Sequence, residues 1–169
     1  AEKLKEKSRL FFIDNEEHYI KGFLYTKDGL KYDNTLDVSS FYGAFMFGYG
    51  DIDKEITPTL KVIEKDLLNN SPSGGSPRYE DDAYFKSSPP YRGNPWFVTT
   101  LWIAQYYAMS DRKDEARALI DWTIKSALPS GLLSEQVNPL TGSIVGVTPL
   151  VWSHAELINS LFYLQSENP

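Results

Sequence analysis

The sequence has no cysteine and only two histidines among its 169 residues. Without cysteine the chain forms neither disulfide bonds nor thiolate metal sites, and this absence fits a cytosolic protein. His18 and His154 lie far apart and lack the spacing of metal ligands. We therefore expect no metal and no cofactor. A cytoplasmic location is favoured, because the sequence also lacks a recognisable signal peptide.

Positive charge is also scarce. The 17 Lys and Arg residues face 23 Asp and Glu residues, which gives a net charge of −6 and a pI near 4.9. A surface of this sign repels phosphate, and no basic cluster interleaves with aromatic rings, so nucleic acid is not an expected partner. No apolar run approaches the ~20 residues that span a bilayer, so a membrane is not expected either.

Apolar periodicity predicts about six helices, whereas the signals for strands are weak. Lys27-Asp28-Gly29 is a turn signal within a loop. Buried helices beside one-faced helices favour an all-α, double-layered helical toroid with long pocket-forming loops. A superhelical repeat of helix pairs is the structural alternative, although no fixed internal period is visible. The predicted helices cover roughly residues 2–13, 39–47, 53–68, 94–109, 111–127 and 153–162.

Two of these helices carry capping signals at their starts. Asn94-Pro95 predicts an Asn N-cap followed by Pro in the first turn, and Ser153-His154-Ala155-Glu156 predicts a capping box. The helix after Pro95 is apolar nearly all round, which predicts burial on every face. Single apolar stripes are predicted in three other helices: Ile56, Leu60, Ile63 and Leu67; Ala116, Leu119, Ile120, Thr123, Ile124 and Ala127; and Leu157, Ile158, Leu161 and Phe162.

Aromatic residues make up 14% of the chain, and many of them lie in loops rich in Pro, Gly and Asp. The segment Arg78-Tyr79-Glu80-Asp81-Asp82-Ala83-Tyr84 is too aromatic and charged for a passive linker, so a binding loop is favoured. An Arg fork suits vicinal hydroxyls or carboxylates, and Asp accepts from hydroxyls. A solvated charge cluster is the alternative. Gly93-Asn94-Pro95-Trp96, taken alone, is simply an efficient helix start with a core Trp.

Glu135 is a single acidic residue between apolar neighbours and Gln136, shortly after a Pro-Ser-Gly turn. A carboxylate near apolar surface either finds partners or shifts its pKa. Such acids concentrate at active sites, although structural networks produce them too. Glu135 is therefore a candidate catalytic residue.

Taken together, these segments resemble glycoside hydrolase family 15, the group of glucoamylases, glucodextranases and trehalases. The first segment is similar to the family's Arg-Tyr-x-x-Asp-x-Tyr, and Gly93-Asn94-Pro95-Trp96 matches its Gly-Asn-Pro-Trp helix start. Ser134-Glu135-Gln136 resembles the motif of the catalytic base, and Leu150-Val151-Trp152-Ser153-His154-Ala155 resembles the Leu-x-Trp-Ser-x-Ala that follows it. Order and spacing agree from Arg78 to the end of the chain.

The resemblance implies an (α/α)6 barrel and an exo-acting enzyme that releases glucose from α-glucans or malto-oligosaccharides with inversion. Inversion needs a general acid and a general base that activates water. Glu135 corresponds to the base. Arg78 and Asp82 would grip the hydroxyls of the innermost glucose, and Tyr79, Trp96 and Trp152 would line or brace the pocket.

The sequence departs from the family in one respect. The family's general acid lies on a Trp/Glu-rich loop in the first half of the barrel, and nothing here matches it, since Glu80 and Asp81 fall in the sugar-gripping motif. We therefore expect residues 1–169 to be the C-terminal half of a glucoamylase-like catalytic domain, inactive in isolation. Expected partners are the glucan and either the missing N-terminal half or a second copy bound through the exposed face.

Two other functions stay open. One is a non-catalytic helical domain that binds carbohydrate or another protein through the same loops. The other is a purely structural scaffold, in which Arg78, Glu135 and Trp152 would scatter over the surface. The linkage, whether α-1,4, α-1,6 or that of trehalose, is also open.

Overall fold

The structure is a computed structural model that describes residues 2–166, except for the side chain of Leu4. The chain divides into two compact units, Ala1–Leu67 and Leu68–Pro169. Within the described residues there are six α-helices. The first unit contains three of them and the second unit contains the other three.

The first unit contains a three-stranded antiparallel sheet in the order β1-β2-β3. Helix α1 (Glu2–Ser8) and a 3₁₀ turn (Arg9–Phe11) lead into it. The all-α prediction is wrong here. The turn at Lys27-Asp28 is confirmed, but it joins two long strands whose ends, Thr26 and Gly29, pair directly. A two-residue loop of this kind, ending in Asp-Gly, closes a β-hairpin. The strands are β1 (Phe12–Ile13), β2 (His18–Thr26) and β3 (Gly29–Leu36).

The remainder of the first unit is helical. Helix α2 (Val38–Met46) begins at Asp37, whose carboxylate accepts a hydrogen bond from the Ser40 N–H as an N-cap. A π-helical segment (Ile52–Ile56) continues into α3 (Thr57–Asp66). The predicted stripe on α3 is confirmed, because all four of its residues are buried: Ile56, Leu60, Ile63 and Leu67.

The second unit is built on helix α4 (Phe97–Met109), which packs against α5 (Lys113–Lys125) and α6 (Val151–Gln165). The prediction that α4 is buried on every face is confirmed, since each of its residues from Phe97 to Ala108 is buried. On α5, Ala116, Leu119, Ile120 and Thr123 are buried as predicted, but Ile124 is 54% exposed. The buried stripe on α5 is therefore narrower than the sequence indicates.

Both predicted helix caps in this unit are wrong. Helix α4 begins at Phe97, three residues after Asn94, and its N-cap Trp96 makes no side-chain cap. Helix α6 begins at Val151, two residues before Ser153, again without a side-chain cap. The polar residues at these two helix starts bond to neighbouring segments instead. The predicted apolar stripe on α6 is wrong, because three of its four residues are exposed: Ile158, Leu161 and Phe162. The buried residues of α6 are Ser153, Glu156 and Ser160.

A short antiparallel hairpin lies between α5 and α6. It consists of β4 (Gln136–Val137) and β5 (Ile144–Val145), and Gln136 pairs with Val145. The loops before α4 and around this hairpin carry the candidate site residues of the sequence except Trp152, which lies in the first turn of α6.

Candidate active site

Main-chain hydrogen bonds hold the Glu135 segment on both sides. The Phe97 N–H at the start of α4 donates to the Glu135 carbonyl at 3.3 Å. On the other side, the Glu135 N–H donates to the Val147 carbonyl at 3.0 Å. The backbone that carries this carboxylate is therefore part of a small ladder and not a free loop.

Trp96 continues the ladder toward the loop of Arg78. It forms β-bridges with Ser76 and with Gln136, so three distant chain segments meet at one residue. The Trp96 N–H donates to the Ser76 carbonyl at 2.9 Å, and the Val137 N–H donates to the Pro95 carbonyl at 3.0 Å. This junction is defined by Ser76, Trp96 and Gln136, and it fixes the spacing between the two loops.

The Glu135 side chain is half-buried, and its Oε2 is buried with no hydrogen-bond partner among the described residues. A buried carboxylate oxygen without a donor is costly unless water or a ligand bonds to it. Gly146 lies against the carboxylate. It has a φ of 80°, and a Cβ added there would approach the Glu135 Cβ at 3.0 Å and its Oε2 more closely still.

Arg78 forms a bidentate ion pair with Asp82, with Nε–Oδ2 at 2.7 Å and Nη2–Oδ1 at 2.8 Å. This hydrogen bonding raises the pKa of the Arg78 guanidinium, and Glu135 adds a smaller electrostatic contribution in the same direction. Arg78 and Glu135 therefore lie within electrostatic reach of one another. The structural-scaffold alternative predicted that Arg78 and Glu135 would be scattered over the surface.

Aromatic rings surround the Arg78 guanidinium. Its central carbon lies 4.2 Å from the ring centroid of Trp96, 5.1 Å from that of Tyr84 and 5.2 Å from that of Tyr79. Cations are attracted to the faces of such rings, most strongly to Trp. The ion pair with Asp82 and these three rings leave Arg78 little freedom to move.

Asp82 is fully buried, and both of its oxygens are engaged. Besides Arg78, it accepts a hydrogen bond from the Tyr84 N–H at 3.1 Å. These contacts are those of a residue that holds Arg78 in place. That Asp82 itself touches a sugar hydroxyl stays a prediction. Glu80 and Asp81, its neighbours, pair with Arg92 and Lys86.

Asn94, predicted as a helix cap, instead joins the two loops. Its Nδ2 donates to Gln136 Oε1 and to the Phe85 carbonyl, both at 2.8 Å. Its Oδ1 accepts from the N–H and hydroxyl groups of Ser87. Every polar atom of this buried amide is therefore used, and its link to Gln136 lies next to Glu135.

The start of α6 is tied to the same loop. The Ser153 hydroxyl, predicted for a capping box, donates to the Ser134 carbonyl at 2.7 Å. The Leu133 N–H donates to His154 Nε2 at 3.1 Å. Trp152 is 50% exposed, and its ring lies 5.6 Å from that of Trp102 on α4.

Sequence analysis missed two residues at this site, Gly146 and Glu156. An isolated Gly between Val145 and Val147 is a signal of close backbone approach, which is the role the structure gives it. Glu156 lies four residues after Trp152, a spacing that puts two side chains on one helix face. Its carboxylate accepts a hydrogen bond from Trp152 Nε1 at 3.0 Å.

Metal-binding clusters and membrane-spanning helices are both absent from the described residues. Between residues 2 and 166, no group of three or more His, Asp and Glu side chains is arranged to hold a metal ion. Over the same range, no helix has the length and apolar character needed to cross a membrane.

Solved structures share this fold. A bacterial glucoamylase crystallised with acarbose aligns with 95% of the chain at a TM-score of 0.76 and 21% identity, over 27% of its own length. A glucoamylase from Saccharomycopsis fibuligera aligns with 91% of the chain at a TM-score of 0.58 and 16% identity, over 45% of its length. At these identities the likeness shows the fold alone.

Sequence relatives point in the same direction. An uncharacterised glycosyl hydrolase of Methanocaldococcus jannaschii is 29% identical in an alignment 164 positions long, and the alignment covers 89% of this chain and 24% of that protein. A protein named trehalase 2 of Sulfolobus acidocaldarius is 29% identical over 106 residues, which is 61% of this chain and 17% of that protein. The chain thus spans a quarter or less of the length of these relatives. The family described as Glycosyl hydrolases family 15 matches residues 11–162, and the chain belongs to that family.

Proposed function

We propose that this chain supplies the base side of the active site of an exo-acting, inverting glycoside hydrolase. The enzyme would release glucose from the non-reducing ends of α-glucans or malto-oligosaccharides. The observation that carries the proposal is the position of Glu135. It has a buried oxygen without a partner and lies within electrostatic reach of an Arg78 guanidinium ringed by Trp96, Tyr79 and Tyr84.

Glu135 would act as the general base. An ionised carboxylate takes a proton from water as the water attacks the anomeric carbon, and the tied main chain of Glu135 keeps that carboxylate in place. Inversion requires the base and acid carboxyls to lie roughly 6.5–9.5 Å apart, so that this water fits between base and sugar. The unpartnered Oε2 is the oxygen we assign to the water.

Arg78 would bind the hydroxyls of the terminal glucose, since a guanidinium donates several hydrogen bonds in one plane. Asp82 would fix the angle of that plane through its bidentate pair, so we assign it to orienting Arg78. Tyr79 and the half-exposed Trp152 would line the pocket and offer ring faces to the apolar face of the sugar. Trp96 is buried against Arg78, so it would brace the pocket from behind. None of these interactions calls for a cofactor.

The general acid would come from outside residues 1–169. We propose that the second unit forms part of an (α/α)6 barrel completed by a longer chain. This rests on the short span of the chain within the glucoamylase and hydrolase that it matches. In this view residues 1–169 are inactive alone, because losing one of two cooperating carboxyls costs several orders of magnitude in rate.

The test uses Glu135→Gln in the full-length protein, which keeps the shape of the side chain and removes the base. Turnover of maltose or maltotriose is expected to fall at least about a hundredfold. Glu115→Gln is the matched control, because it changes an exposed carboxylate that pairs with Arg112 at the start of α5, and its turnover is expected to stay close to that of the wild type. Near-normal turnover of the Glu135 variant would exclude Glu135 as the base.

Two further measurements separate the alternatives. Proton NMR of the first released glucose is expected to show the β-anomer, and an α-anomer would contradict inversion. Trehalose belongs in the substrate panel because two matched relatives are named trehalases. Binding of these sugars without hydrolysis by the full-length wild-type protein would favour the non-catalytic carbohydrate-binding domain.

A further inference from the structure

A buried polar cluster lies where α4 meets α6. Gln105 of α4 and Ser160 of α6 are fully buried, and Glu156 of α6 is 7% exposed. The Gln105 Nε2 donates to Glu156 Oε2 at 2.7 Å, and its distance to Ser160 Oγ is 3.3 Å. Trp152, which is 50% exposed, contacts this cluster, and its Nε1 donates to Glu156 Oε1 at 3.0 Å.

A buried glutamate at this position lowers the stability that the contact between α4 and α6 could otherwise provide. Its two oxygens accept from neutral donors, and no cationic side chain in residues 2–166 pairs with it. A buried carboxylate without a counter-ion contributes less to stability than a well-packed apolar side chain of the same volume. The position therefore calls for a reason other than packing between the two helices.

The reason we infer is the hydrogen bond that Trp152 donates to Glu156, which holds the Trp152 ring in one orientation. The indole is half-exposed, and two contacts orient it: the hydrogen bond to Glu156 and an edge contact with Trp102 at 5.6 Å between ring centroids. An edge contact alone leaves the ring free to rotate about its own side-chain bonds. A charged acceptor makes a stronger hydrogen bond than a neutral one, so Glu156 fixes the direction of the N–H and with it the plane of the ring.

We propose that Glu156 is a positioning residue, which fixes the indole plane of Trp152 as a wall of the glucose site. The proposal rests on the proposed function, because it takes Trp152 to contact the sugar. It assigns Glu156 no contact with the substrate and no proton transfer. The effect of Glu156 on sugar binding passes entirely through Trp152.

The conservative variant Glu156→Gln is expected to work nearly as well as the wild type. Its amide oxygen accepts from Trp152, and its new NH₂ group needs an acceptor. Gln105 offers one, because its Oε1 is buried and has no partner in the described residues. A half-turn of the Gln105 amide restores the hydrogen bond between the two side chains but turns its NH₂ group toward a side without a partner in residues 2–166, so Glu156→Gln is expected to lower Tm while the Trp152 contact is kept. Glu156→Leu, in contrast, removes the acceptor and frees the ring.

The experiment is a double-mutant cycle in the full-length protein on maltotriose. Glu156→Leu and Trp152→Phe, which keeps a ring but loses the N–H, are each expected to raise KM roughly tenfold while kcat stays within about twofold. In the Trp152→Phe background, Glu156→Leu is expected to raise KM no further, because residues that act through one contact are not additive. Glu156→Gln is expected to keep KM within about twofold of the wild type.

Ser160→Ala is the matched control. It removes another member of the same cluster that does not touch Trp152, so it is expected to lower Tm and leave KM unchanged. Equal rises of KM from Glu156→Leu in both backgrounds would overturn the proposal, as would a KM rise from Ser160→Ala. If Glu156→Leu does not fold, an unchanged KM in Trp152→Phe or a raised KM in Glu156→Gln overturns it.

The proposed function fails separately. Near-normal turnover by Glu135→Gln would refute the assignment of Glu135 as the base. The double-mutant cycle would still test whether Glu156 and Trp152 together determine sugar affinity. Loss of turnover by Glu135→Gln together with an additive cycle removes only the role of Glu156.

Discussion

Gly146 and Glu135 lie against each other across the β4–β5 hairpin, and the absence of a side chain on Gly146 makes room for the Glu135 carboxylate. No other residue type fits without moving that carboxylate, because an added Cβ overlaps Oε2 and the φ of 80° disfavours side chains.

Gly146→Ala is therefore expected to displace the Glu135 carboxylate and to lower kcat at least about tenfold, since small misplacements of a catalytic group are costly. Steady-state kinetics of the full-length protein measure this. Gly142→Ala is the control, because Gly142 has a similar φ of 69° in the same hairpin but open space around it. If the two variants lose the same activity, backbone strain and not displacement of Glu135 is the cause.

Arg78→Lys is expected to weaken sugar binding at least about tenfold and to destabilise the protein by about 1–3 kcal/mol. A lysine keeps the charge but loses the two parallel bonds to Asp82 and the contact of the guanidinium carbon with the Trp96 ring. Sugar titration calorimetry and thermal unfolding measure the two effects. Arg92→Lys, which changes a more exposed partner of Glu80, is expected to cost about 0–1 kcal/mol. A harmless Arg78→Lys would contradict the geometric role of the guanidinium.

Asn94→Ala is expected to cost about 2–4 kcal/mol, because it leaves Gln136 Oε1 and the Ser87 donors without their buried partner. Urea unfolding of the full-length protein measures the loss. Asn34→Ala is the matched control, since Asn34 makes a single exposed hydrogen bond to Glu16. That variant is expected to stay within about 0.5 kcal/mol of the wild type. A similarly small effect of Asn94→Ala would mean that the hydrogen bonds of this amide are not what holds the two loops together.

The stability of the first unit is expected to depend on pH through the Asp37 carboxyl, and the direction of this dependence follows from its pKa. Burial raises the pKa of the Asp37 carboxyl, so the folded chain binds that proton more tightly than the unfolded chain. Its contribution to the free energy of unfolding is present below the ordinary pKa and is lost as the pH rises through the raised value. Asp37→Asn keeps an acceptor for the Ser40 N–H and removes this loss. We expect the variant to be more stable than the wild type at pH 7 and similar to it at low pH.

Asp33→Asn is the control, because the pKa of Asp33 is shifted in the opposite direction to that of Asp37. A hydrogen bond from Thr35 lowers the pKa of the Asp33 carboxyl, so its contribution is present at neutral pH and is lost as the pH falls through the lowered value. Carbon NMR titration of the two carboxyls measures both directions. A lowered pKa at Asp37 would contradict the argument.

Much of the helical part of the fold follows from the sequence, and the reasons are local. Burial of α4 on every face and of the α3 stripe follows from the spacing of apolar residues, which is visible in the sequence itself. The sequence analysis did not predict the hairpin of β2 and β3, although Asp28-Gly29 follows a run rich in aromatic and β-branched residues, His18–Thr26. A turn signal alone does not state whether the segments beside it pair, because pairing depends on contacts across the chain.

The wrong helix caps have a common physical reason. Asn94, Ser153 and Glu156 are residue types that satisfy helix ends, but each also forms long-range hydrogen bonds in a buried site. Partners such as Gln136, Ser134 and Gln105 lie between 19 and 51 residues away. Local pattern identifies such residues as polar and placed near a helix start, and only the tertiary structure decides what they bond.

The Trp96 junction has a further consequence for dynamics. Because Ser76, Trp96 and Gln136 are joined by two β-bridges, opening any of the three segments exposes main-chain groups of the others. Segments joined in this way exchange their amide protons as one cooperative unit. Deuterium uptake at residues 96, 97 and 137 should therefore follow a single rate. A sugar held by Arg78 alone would also slow exchange in the segment that contains Glu135.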